Sequence, residues 1–505
     1  MQEVLVGLDV GTTRCKAIAV SLNGTVVASA SSEYSITSPQ PGWAEQDPVR
    51  VWRTALSVLR NVCQSIPNVA VLGLGLSVQG EAVIPLNKQG KPLRPAILGM
   101  DVRTEEENNL LQKYFGDRLF EITGMPIHTV NTLPKLLWIK IHEPDIWAKT
   151  WRFVLYEDFL TYRLTGTPAI SQCLASRTQL YNISQNHWDF DILQFLELTK
   201  NKLSNLAPSG TSIGKIKKDI QRILRLKTRP EVVLGGHDQA CAAFGAGVTE
   251  PGSGLISTGS AEVILIVIDR AYTINEMSKA NISCYLHVIP ERYLLMTLNH
   301  CGGIILQWFR DNFCVDEVKR AKRLKRDAYE LILANLPFAP SGILLFPHFA
   351  GSGSPAPDPQ SQAGVLGIGL WTTRKHFIKA LIEGLCYELR LNVDFINKIG
   401  FSCNSFTTVG GGAKSAVWNQ IKADVLGLPI KLPLYLDSAP LGAAFLAGIG
   451  TGVFSSYTQI HNWIKIEREY IPSETNKKIY NMFYEQYKNI RPLIVSLTKH
   501  LKFVE

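Results

Sequence analysis

Short apolar runs separated by polar, glycine-containing turns dominate the beginning of the chain. An apolar run over residues 4–7 is followed by the polar stretch 9–13, and a second apolar run resumes at residues 17–20. The pair Asn23-Gly24 comes next, and an Asn-Gly pair between apolar stretches is typical of a β-hairpin. The pattern therefore predicts three strands joined by two tight turns.

A similar design returns past the middle of the chain. Residues 251–268 again combine an apolar strand, a small polar turn with the letters STGS, and a second apolar strand. Three further segments combine strands or helices with glycine-rich turns: residues 230–247, 406–430 and 438–452. Strands that alternate with helices favour an α/β architecture. Because 505 residues are too many for one ordinary core, we expect two related domains, residues 1–247 and residues 248–505.

The net charge of +9 is a mild excess for a chain of this length, and two basic segments concentrate it. Residues 215–229 and residues 318–330 have apolar residues at helical spacing and lack the interleaved aromatic residues that favour single-strand binding. This pattern favours solvated helix faces over a nucleic-acid patch, so we expect no nucleic acid partner. No long uncharged apolar stretch is present, so we also expect no membrane partner.

The nine cysteines are scattered along the chain, without a CxxC pair or a cluster of zinc ligands. They are typical of reduced, mostly buried thiols in a cytoplasmic protein. Acidic residues precede the first basic residues at the N-terminus, which is unlike a secretory signal peptide. We therefore expect a cytoplasmic protein.

Glycine-rich loops after strands suggest phosphate binding, because free backbone N–H groups attract anions. Neither of the two common phosphate-binding motifs is present. The chain contains no GxxxxGK[ST] sequence, and residues 73–80 lack the third glycine of GxGxxG. The absence of a dinucleotide-binding motif excludes a dehydrogenase. Residues 410–415 fit an ordinary turn as well as a nucleotide loop. The turns at residues 9–13 and 257–260 remain. Taken alone, each turn is as consistent with a plain surface turn as with a phosphate site. The presence of such a turn in each half of the chain favours phosphate binding.

Several longer segments, taken together and in order, resemble the FGGY carbohydrate kinases over roughly residues 4–455. GLDVGTTRCKA and GLISTGSAEV are similar to the two phosphate motifs of that family, and TTVGGGAKSAVWNQIKADVLGLPI and APLGAAFLAGIGTG to its adenosine-side motifs. GKPLRPAILGMDVRT and YEDFLTYRLTG are also typical of it. The resemblance implies two actin-like (ribonuclease H-like) domains, each with a mixed sheet, and an interdomain cleft. ATP is then expected against the second domain and the sugar against the first, with closure excluding water.

The candidate catalytic base is Asp238, which follows a predicted buried strand and the pair Gly235-Gly236 and opens a helix. From the residues alone a helix N-cap aspartate is favoured, whereas the resemblance implies catalysis. Asp9 is the candidate Mg²⁺ ligand, because carboxylate oxygens suit this hard cation. The resemblance implies nucleotide contacts at a set of small or polar residues: Gly11, Thr12, Thr13, Thr258, Gly259, Ser260, Gly411, Gly412, Lys414 and Asn419.

The resemblance also implies acceptor contacts at Gln79, Glu81, Asp101, Arg103 and Gln239. Xylulose kinases usually carry a Met-His pair directly after the glutamine, where this chain has Gly and Glu. The Gln-x-Glu pattern is instead similar to glycerol kinases, in which the glutamate binds substrate hydroxyls. Gly99 stands where several subfamilies have tryptophan, which leaves room for a substrate larger than glycerol.

The sequence therefore predicts ATP- and Mg²⁺-dependent phosphorylation of a hydroxyl group on a small ketose, deoxyketose or polyol, by in-line transfer with an aspartate base. Two alternatives stay open: a strict xylulose kinase, and a non-catalytic sugar or nucleotide sensor on the same scaffold. The presence of both Asp9 and Asp238 favours an enzyme. We expect a small sugar or polyol as the partner and leave a homodimer open.

Overall fold

A computed structural model of the chain describes residues 2–498 and 501, and two large sheets organise it. The first sheet contains six strands: β1 Gln2–Val10, β2 Arg14–Ser21, β3 Val26–Glu33, β4 Val69–Val78, β5 Ser212–Lys215 and β6 Glu231–His237. The second contains seven: β7 Ser253–Thr258, β8 Glu262–Ile268, β9 Ser283–Leu286, β10 Tyr293–Asn299, β11 Ser405–Val409, β12 Ile430–Pro433 and β13 Ile466–Tyr470. Short strands pair as Glu45–Gln46 with Ala96–Ile97, Ile84–Leu86 with Arg152–Val154, Ala169–Ser171 with Asn205–Ala207, Tyr181–Asn182 with His187–Trp188, and Leu344–Phe346 with Gly364–Leu366.

Both sheets have the same arrangement around their first hairpin. Strand β1 lies antiparallel to β2 and parallel to β4, and β6 continues the parallel run. Likewise β7 lies antiparallel to β8 and parallel to β11, and β12 continues that run. The strand orders are β5-β6-β4-β1-β2-β3 and β9-β10-β8-β7-β11-β12-β13. The predicted α/β class with two mixed sheets is confirmed, and the β1–β2 and β7–β8 turns occupy equivalent places.

Helices cover both sheets. They are α1 Pro48–Ser65, α2 Glu105–Phe115, α3 Arg118–Thr123, α4 Thr132–His142, α5 Pro144–Lys149, α6 Tyr156–Thr165, α7 Gln172–Ala175, α8 Phe190–Leu196, α9 Lys218–Leu224, α10 Asp238–Gly245, α11 Asn275–Lys279, α12 Gly303–Phe313, α13 Val315–Leu324, α14 Ala328–Ile332, α15 Arg374–Lys398, α16 Ala416–Leu426, α17 Ser438–Gly450 and α18 Glu474–Thr498. Short 3₁₀ helices span Lys200–Lys202, Gly411–Lys414 and Tyr457–Asn462.

Helices α10 and α17 form a buried cluster with apolar residues of both sheets. A Cβ atom at Gly7 of β1 would lie 1.8 Å from the Pro440 carbonyl oxygen, and one at Gly75 of β4 would lie 1.9 Å from that of Ala443. Only glycine permits such close approach, which explains why these segments are rich in small residues. Helix α17 thus lies on the first sheet although it comes from the second half of the sequence. The division at residue 247 stays a prediction.

Two further observations concern the cysteines and the lengths of the helices. The nine cysteines carry free thiols, and eight of them are buried. No helix in residues 2–498 combines the length and the apolar character needed to cross a bilayer.

Candidate active site

A cavity of about 250 Å³ lies between the two sheets. Its wall is formed by the β1–β2 turn, the start of α10, the end of β11 and the segment that leads into α17. The cavity brings together six residues singled out from the sequence: Asp9, Gly11, Thr12, Thr13, Asp238 and Gln239. The parallel strands β1, β4 and β6 end at this edge of the first sheet, which is where α/β sheets usually bind ligands.

The carbonyl groups of the β1–β2 turn accept hydrogen bonds from neighbouring residues of the protein. The Tyr34 hydroxyl donates to the Gly11 carbonyl oxygen at 2.5 Å, and the Gln46 Nε2 donates to that of Thr12 at 2.8 Å. The Tyr34 N–H donates to the Thr13 carbonyl oxygen at 3.0 Å. Among residues 2–498 and 501, no acceptor takes the N–H group of Thr12 or Thr13. The turn therefore offers donors to the cavity, an arrangement that suits phosphate oxygens.

Asp9 lies one residue before the end of β1 and lines the cavity, and the Ser77 hydroxyl donates to its Oδ1 at 2.7 Å. Burial raises the pKa of Asp9 to about 6; the Ser77 hydrogen bond and Lys16 oppose this shift, and Asp437 adds to it. A cation beside the carboxylate would relieve that burial cost, so the residue fits Mg²⁺. The described residues contain no group of three or more His, Cys, Asp or Glu placed for a metal, so such an ion would need phosphate and water oxygens as well.

Asp238 is the first residue of α10, and its side chain is 25% exposed. His237 occupies the N-cap position, so the N-cap role considered for Asp238 is not the one observed. Burial raises the pKa of Asp238 to about 8, and the negative charges of Asp9 and Glu81 act in the same direction. A carboxylate with a raised pKa holds a proton more strongly, which suits a general base near neutral pH.

A bulge in β6 sets the position of this helix start. The pairing of β6 with β4 shifts between Val233 and Gly236, and the N–H group of Gly235 donates to the Glu157 carboxylate at 3.0 Å. Glu157 also accepts hydrogen bonds from the N–H and the hydroxyl of Ser171, at 2.8 and 2.7 Å. Because three donors converge on this buried carboxylate, the chain is held in place three residues before Asp238.

His237 lies between the predicted base and the second sheet. Its Nε2 is 3.3 Å from the Asp238 Oδ1, and its Nδ1 is 3.3 Å from the hydroxyl of Tyr285 on β9. Burial, with a contribution from the charge of Arg177, lowers the pKa of His237 well below its usual range, so the ring is neutral. The ring is therefore hydrogen-bonded to Tyr285 through Nδ1, and its Nε2 lies beside the Asp238 carboxylate.

Glu81, an acceptor-side candidate, is held by Arg177. The Arg177 Nε donates to the Glu81 Oε1 at 2.7 Å, and its Nη1 donates to the hydroxyl of Ser283 on β9 at 3.0 Å. The guanidinium also lies 4.7 Å from the ring centroid of Tyr285. A Cβ atom at Gly99 would lie 3.6 Å from the Glu81 Oε2, so a larger side chain there would contact the carboxylate.

Asp101 and Arg103 are fully buried and bind each other instead of lining the cavity. The Arg103 Nε and Nη2 donate to the Asp101 carboxylate at 2.9 and 2.8 Å, and the Ala44 N–H donates to it at 2.6 Å. The Arg103 guanidinium lies 3.7 and 4.9 Å from the ring centroids of Trp43 and Trp138. In the structure this buried pair supports the first half, and its contact with an acceptor stays a prediction.

The remaining acceptor candidates, Gln79 and Gln239, lie on either side of the base. The Gln79 Nε2 donates to the Gln46 Oε1 at 3.1 Å, which links it to the side chain that holds the β1–β2 turn. Gln239 lines the cavity, and its buried Oε1 has no hydrogen-bond partner among the described residues. An unpaired buried amide oxygen beside Asp238 is suited to accept from a ligand hydroxyl.

The β7–β8 turn contains the second set of phosphate candidates. Gly259 and Ser260 are exposed, and their carbonyl oxygens accept from the N–H groups of Gly303 and Gly302 at the start of α12, both at 2.8 Å. Thr258 is fully buried, and its hydroxyl donates to the Glu262 carboxylate at 2.6 Å. Any phosphate contact from Thr258 would therefore come from its backbone and not from its hydroxyl.

The glycine loop after β11 packs on the same threonine. A Cβ atom at Gly410 or at Gly412 would lie 2.5 Å from Thr258 atoms, whereas Gly411 faces open space. Lys414 is exposed. Asn419 is buried and its Nδ2 donates to the Ala413 carbonyl oxygen at 2.8 Å. Gly411 and Lys414 are therefore accessible at the rim, and Gly412 and Asn419 shape the loop from inside.

Sequence reasoning missed the side chains that hold the predicted residues in place: Lys16, Ser77, Glu157, Arg177, His237 and Tyr285. Two of them carried a signal, because His237 directly precedes Asp238 and Lys16 lies inside the first phosphate motif. The other contacts join strands and helices that are far apart in the chain, and no local pattern reports them.

Comparisons with known proteins agree with this architecture. The model of the FGGY family of carbohydrate kinases, N-terminal domain, matches residues 4–245, and that of the C-terminal domain matches residues 255–451. A xylulose kinase of Staphylococcus epidermidis is 31% identical over 507 residues, which cover 99% of each chain. A gluconokinase of Bacillus subtilis is 25% identical over 99% of this chain and 97% of its own. The crystal structure of gluconate kinase from Lactobacillus acidophilus shares the fold, with a TM-score of 0.91, 22% identity, and coverage of 99% of this chain and 100% of that one.

Proposed function

The chain belongs to the FGGY family of carbohydrate kinases, and on that premise we propose that it transfers the γ-phosphoryl group of ATP to a hydroxyl group of a neutral ketose, deoxyketose or related polyol. The observation that carries the proposal is the pairing of Asp238, with a pKa raised to about 8, and the donor-rich β1–β2 turn in one cavity. A base and an anion site in one cleft are the parts that phosphoryl transfer requires.

In the proposed reaction, the γ-phosphate of ATP lies against the N–H and hydroxyl groups of Thr12 and Thr13. Asp238 accepts the proton of the acceptor hydroxyl as that oxygen bonds to the γ-phosphorus, and the bond from phosphorus to the bridging oxygen of ADP breaks. The neutral His237 packs against the carboxylate, with its Nε2 3.3 Å from the Asp238 Oδ1, and so limits the orientations open to Asp238. The products are ADP and the sugar phosphate.

Asp9 is the residue proposed to hold Mg²⁺, directly or through water, and Ser77 orients its carboxylate. When bound, the ion would neutralise phosphate charge and help to align the phosphates. In addition to the charge of the ion, Lys16 contributes a positive charge to the cavity wall, where it also forms an ion pair with Asp437.

The charges of the cleft favour a neutral acceptor. The negative charges of Asp9 and Glu81 both act on Asp238, whereas the guanidinium of Arg177 is already paired with Glu81. The two basic residues that line the cavity, Arg14 and Lys16, are ion-paired with Glu33 and Asp437, so an aldonate acceptor would add a further negative charge to those of Asp9 and Glu81. A ketose or polyol can instead donate hydroxyl hydrogen bonds to Glu81 and to the unpaired Gln239 oxygen.

A coupled ADP-release assay with Mg²⁺-ATP tests the proposal. The acceptor panel should contain ketopentoses, deoxyketoses and ketohexoses, alditols from glycerol upward, and gluconate as the anionic comparison. We expect turnover with at least one neutral acceptor and a lower kcat/KM for gluconate. The position of the phosphate in the product is then read by ³¹P and ¹H NMR.

The two alternatives give different results in the same assay. A strict xylulose kinase would use xylulose alone. The 31% identity to a xylulose kinase supports this alternative. A sensor would bind nucleotide in calorimetry without ADP release above the rate with water, and that result would contradict the proposed activity. A cytoplasmic location and a homodimer stay predictions.

A further inference from the structure

Three buried polar side chains lie directly behind the exposed β7–β8 turn. The Lys422 Nζ lies 3.0 Å from the Glu262 Oε1, and both side chains are 0% exposed. The same Nζ donates to the Thr258 Oγ1 at 2.6 Å, and that hydroxyl donates to the Glu262 Oε1 at 2.6 Å. The three groups form a closed ring of contacts, which we call the buried triad. Neither charged member can touch a ligand.

Burying the charged side chains of the triad costs free energy. Removing two charges from water carries a large desolvation cost, and apolar side chains of similar volume often give equal or greater stability. The Glu262 Oε2 also has no hydrogen-bond partner in the described part of the chain. A contribution to stability therefore does not by itself account for the triad. Its position indicates that it fixes the geometry of the segments that it joins.

The triad joins the segments expected to hold the nucleotide. Thr258 ends β7 and Glu262 begins β8, so the two residues flank the turn that carries Gly259 and Ser260. Lys422 lies on α16, which follows the glycine loop. That loop packs on Thr258, where a Cβ atom at Gly412 would come within 2.5 Å of the threonine side chain.

We propose that Lys422 and Glu262 are positioning residues for the nucleotide, acting through Thr258. They hold the β7–β8 turn and the glycine loop in one fixed arrangement, so that phosphate and adenosine contacts form together. The inference rests on the proposed function in so far as ATP is the ligand of these two segments. Its signature is a change in nucleotide affinity that leaves acceptor affinity intact.

Three variants test the triad. Thr258→Val removes only the hydroxyl, Lys422→Met leaves Glu262 buried and unpaired, and the double variant Lys422→Met with Glu262→Leu replaces the pair by apolar groups. We expect the double variant to keep a melting temperature close to that of the wild type, because no unpaired charge remains. We nevertheless expect it to bind ADP at least about fivefold more weakly, with an unchanged KM for the acceptor.

Lys379 supplies the matched control. It is also a buried helix lysine, whose Nζ donates to the carbonyl oxygens of residues 337–339 and lies 3.8 Å from the Glu383 carboxylate, away from the turn. Lys379→Met should lower the melting temperature without changing ADP affinity. Equal weakening of ADP binding in this control and in Lys422→Met would show a general loss of stability and would overturn the proposal.

Calorimetric titration with ADP separates this inference from the proposed function, because it needs no acceptor. If the wild type binds ADP but turns over no acceptor, the proposed function fails and the variants still test the triad. If the folded double variant and Thr258→Val both bind ADP within twofold of the wild type, the inference is wrong whatever the activity. Should Lys422→Met fail to fold, these two variants decide the question.

Discussion

The β1–β2 and β7–β8 turns are built alike but are held in place by different means. Both follow the first strand of a hairpin at equivalent places in the two sheets, and both have their carbonyl groups occupied by donors from behind. Neutral side chains, Tyr34 and Gln46, hold the β1–β2 turn. Backbone N–H groups of α12 and the charged buried triad hold the β7–β8 turn.

Under the proposed function, this difference couples each turn to a different substrate. Gln46 donates to the turn at Thr12 and accepts from Gln79 and from the hydroxyl of Tyr156, so the first turn shares its support with the acceptor side. The triad connects the second turn with the helix after the glycine loop, on the expected adenosine side. We therefore expect the first turn to link the phosphates to the acceptor side and the second turn to link them to the adenosine side.

The largest expected effect comes from the residue between the turns. Asp238→Asn should lower kcat by about 10²–10⁴-fold, because the acceptor hydroxyl loses its base. Binding of ADP should persist, since neither turn depends on this side chain for its hydrogen bonds. The measurements are ADP release and calorimetry. Turnover close to that of the wild type would remove Asp238 from the proposed role.

The first turn is tested by Gln46→Met, which keeps the length of the side chain and removes its amide. The Thr12 carbonyl then loses a donor, and an unsatisfied buried group costs about 1–3 kcal/mol. We expect KM to rise about fivefold or more for both ATP and acceptor, in contrast to Thr258→Val, which should affect the nucleotide alone. Tyr156→Phe, which removes only the outer hydrogen bond to Gln46, serves as the milder control. An acceptor KM that does not change would break the proposed coupling.

A pH profile tests the electrostatic link between Glu81 and Asp238. The base acts when deprotonated, and its pKa is raised to about 8, so activity should rise with pH through a range well above that of an ordinary aspartate. Glu81→Gln removes one of the charges that raise this pKa, so the acidic limb of kcat/KM should move to lower pH although the maximum falls. A limb that stays in place, or moves to higher pH, contradicts the assignment.

The smallest expected effect belongs to the contact that crosses from the second sheet to the base. Tyr285→Phe removes the hydroxyl that is hydrogen-bonded to the His237 Nδ1 and keeps the ring against Arg177. We expect kcat to fall by about two- to tenfold, the scale of one neutral hydrogen bond of about 0.5–1.5 kcal/mol, with ATP affinity unchanged. Unchanged kcat would show that His237 needs no support from the second sheet.

Local signals in the sequence predicted more of the fold than of the site. The β1–β2 and β7–β8 hairpins were predictable, because apolar runs and small polar turn residues report local structure. The role of Thr258 was not, because its hydroxyl is turned away by Lys422, which lies 164 residues further along the chain. The buried ion pair of Asp101 and Arg103 was likewise not predicted from the sequence, and the contact of these residues with an acceptor stays a prediction.

By itself, the sequence determined the α/β class, the two hairpins, the turn residues that can meet phosphate, and the placement of Asp238 at a helix start. These features depend on residue types at short spacing. Only the tertiary structure decided which hydroxyls face the cleft, how far the pKa of Asp238 rises, and that α17 of the second half lies on the first sheet. Burial, charge interactions and close backbone contacts depend on what surrounds a residue in space, and those neighbours come from distant parts of the chain.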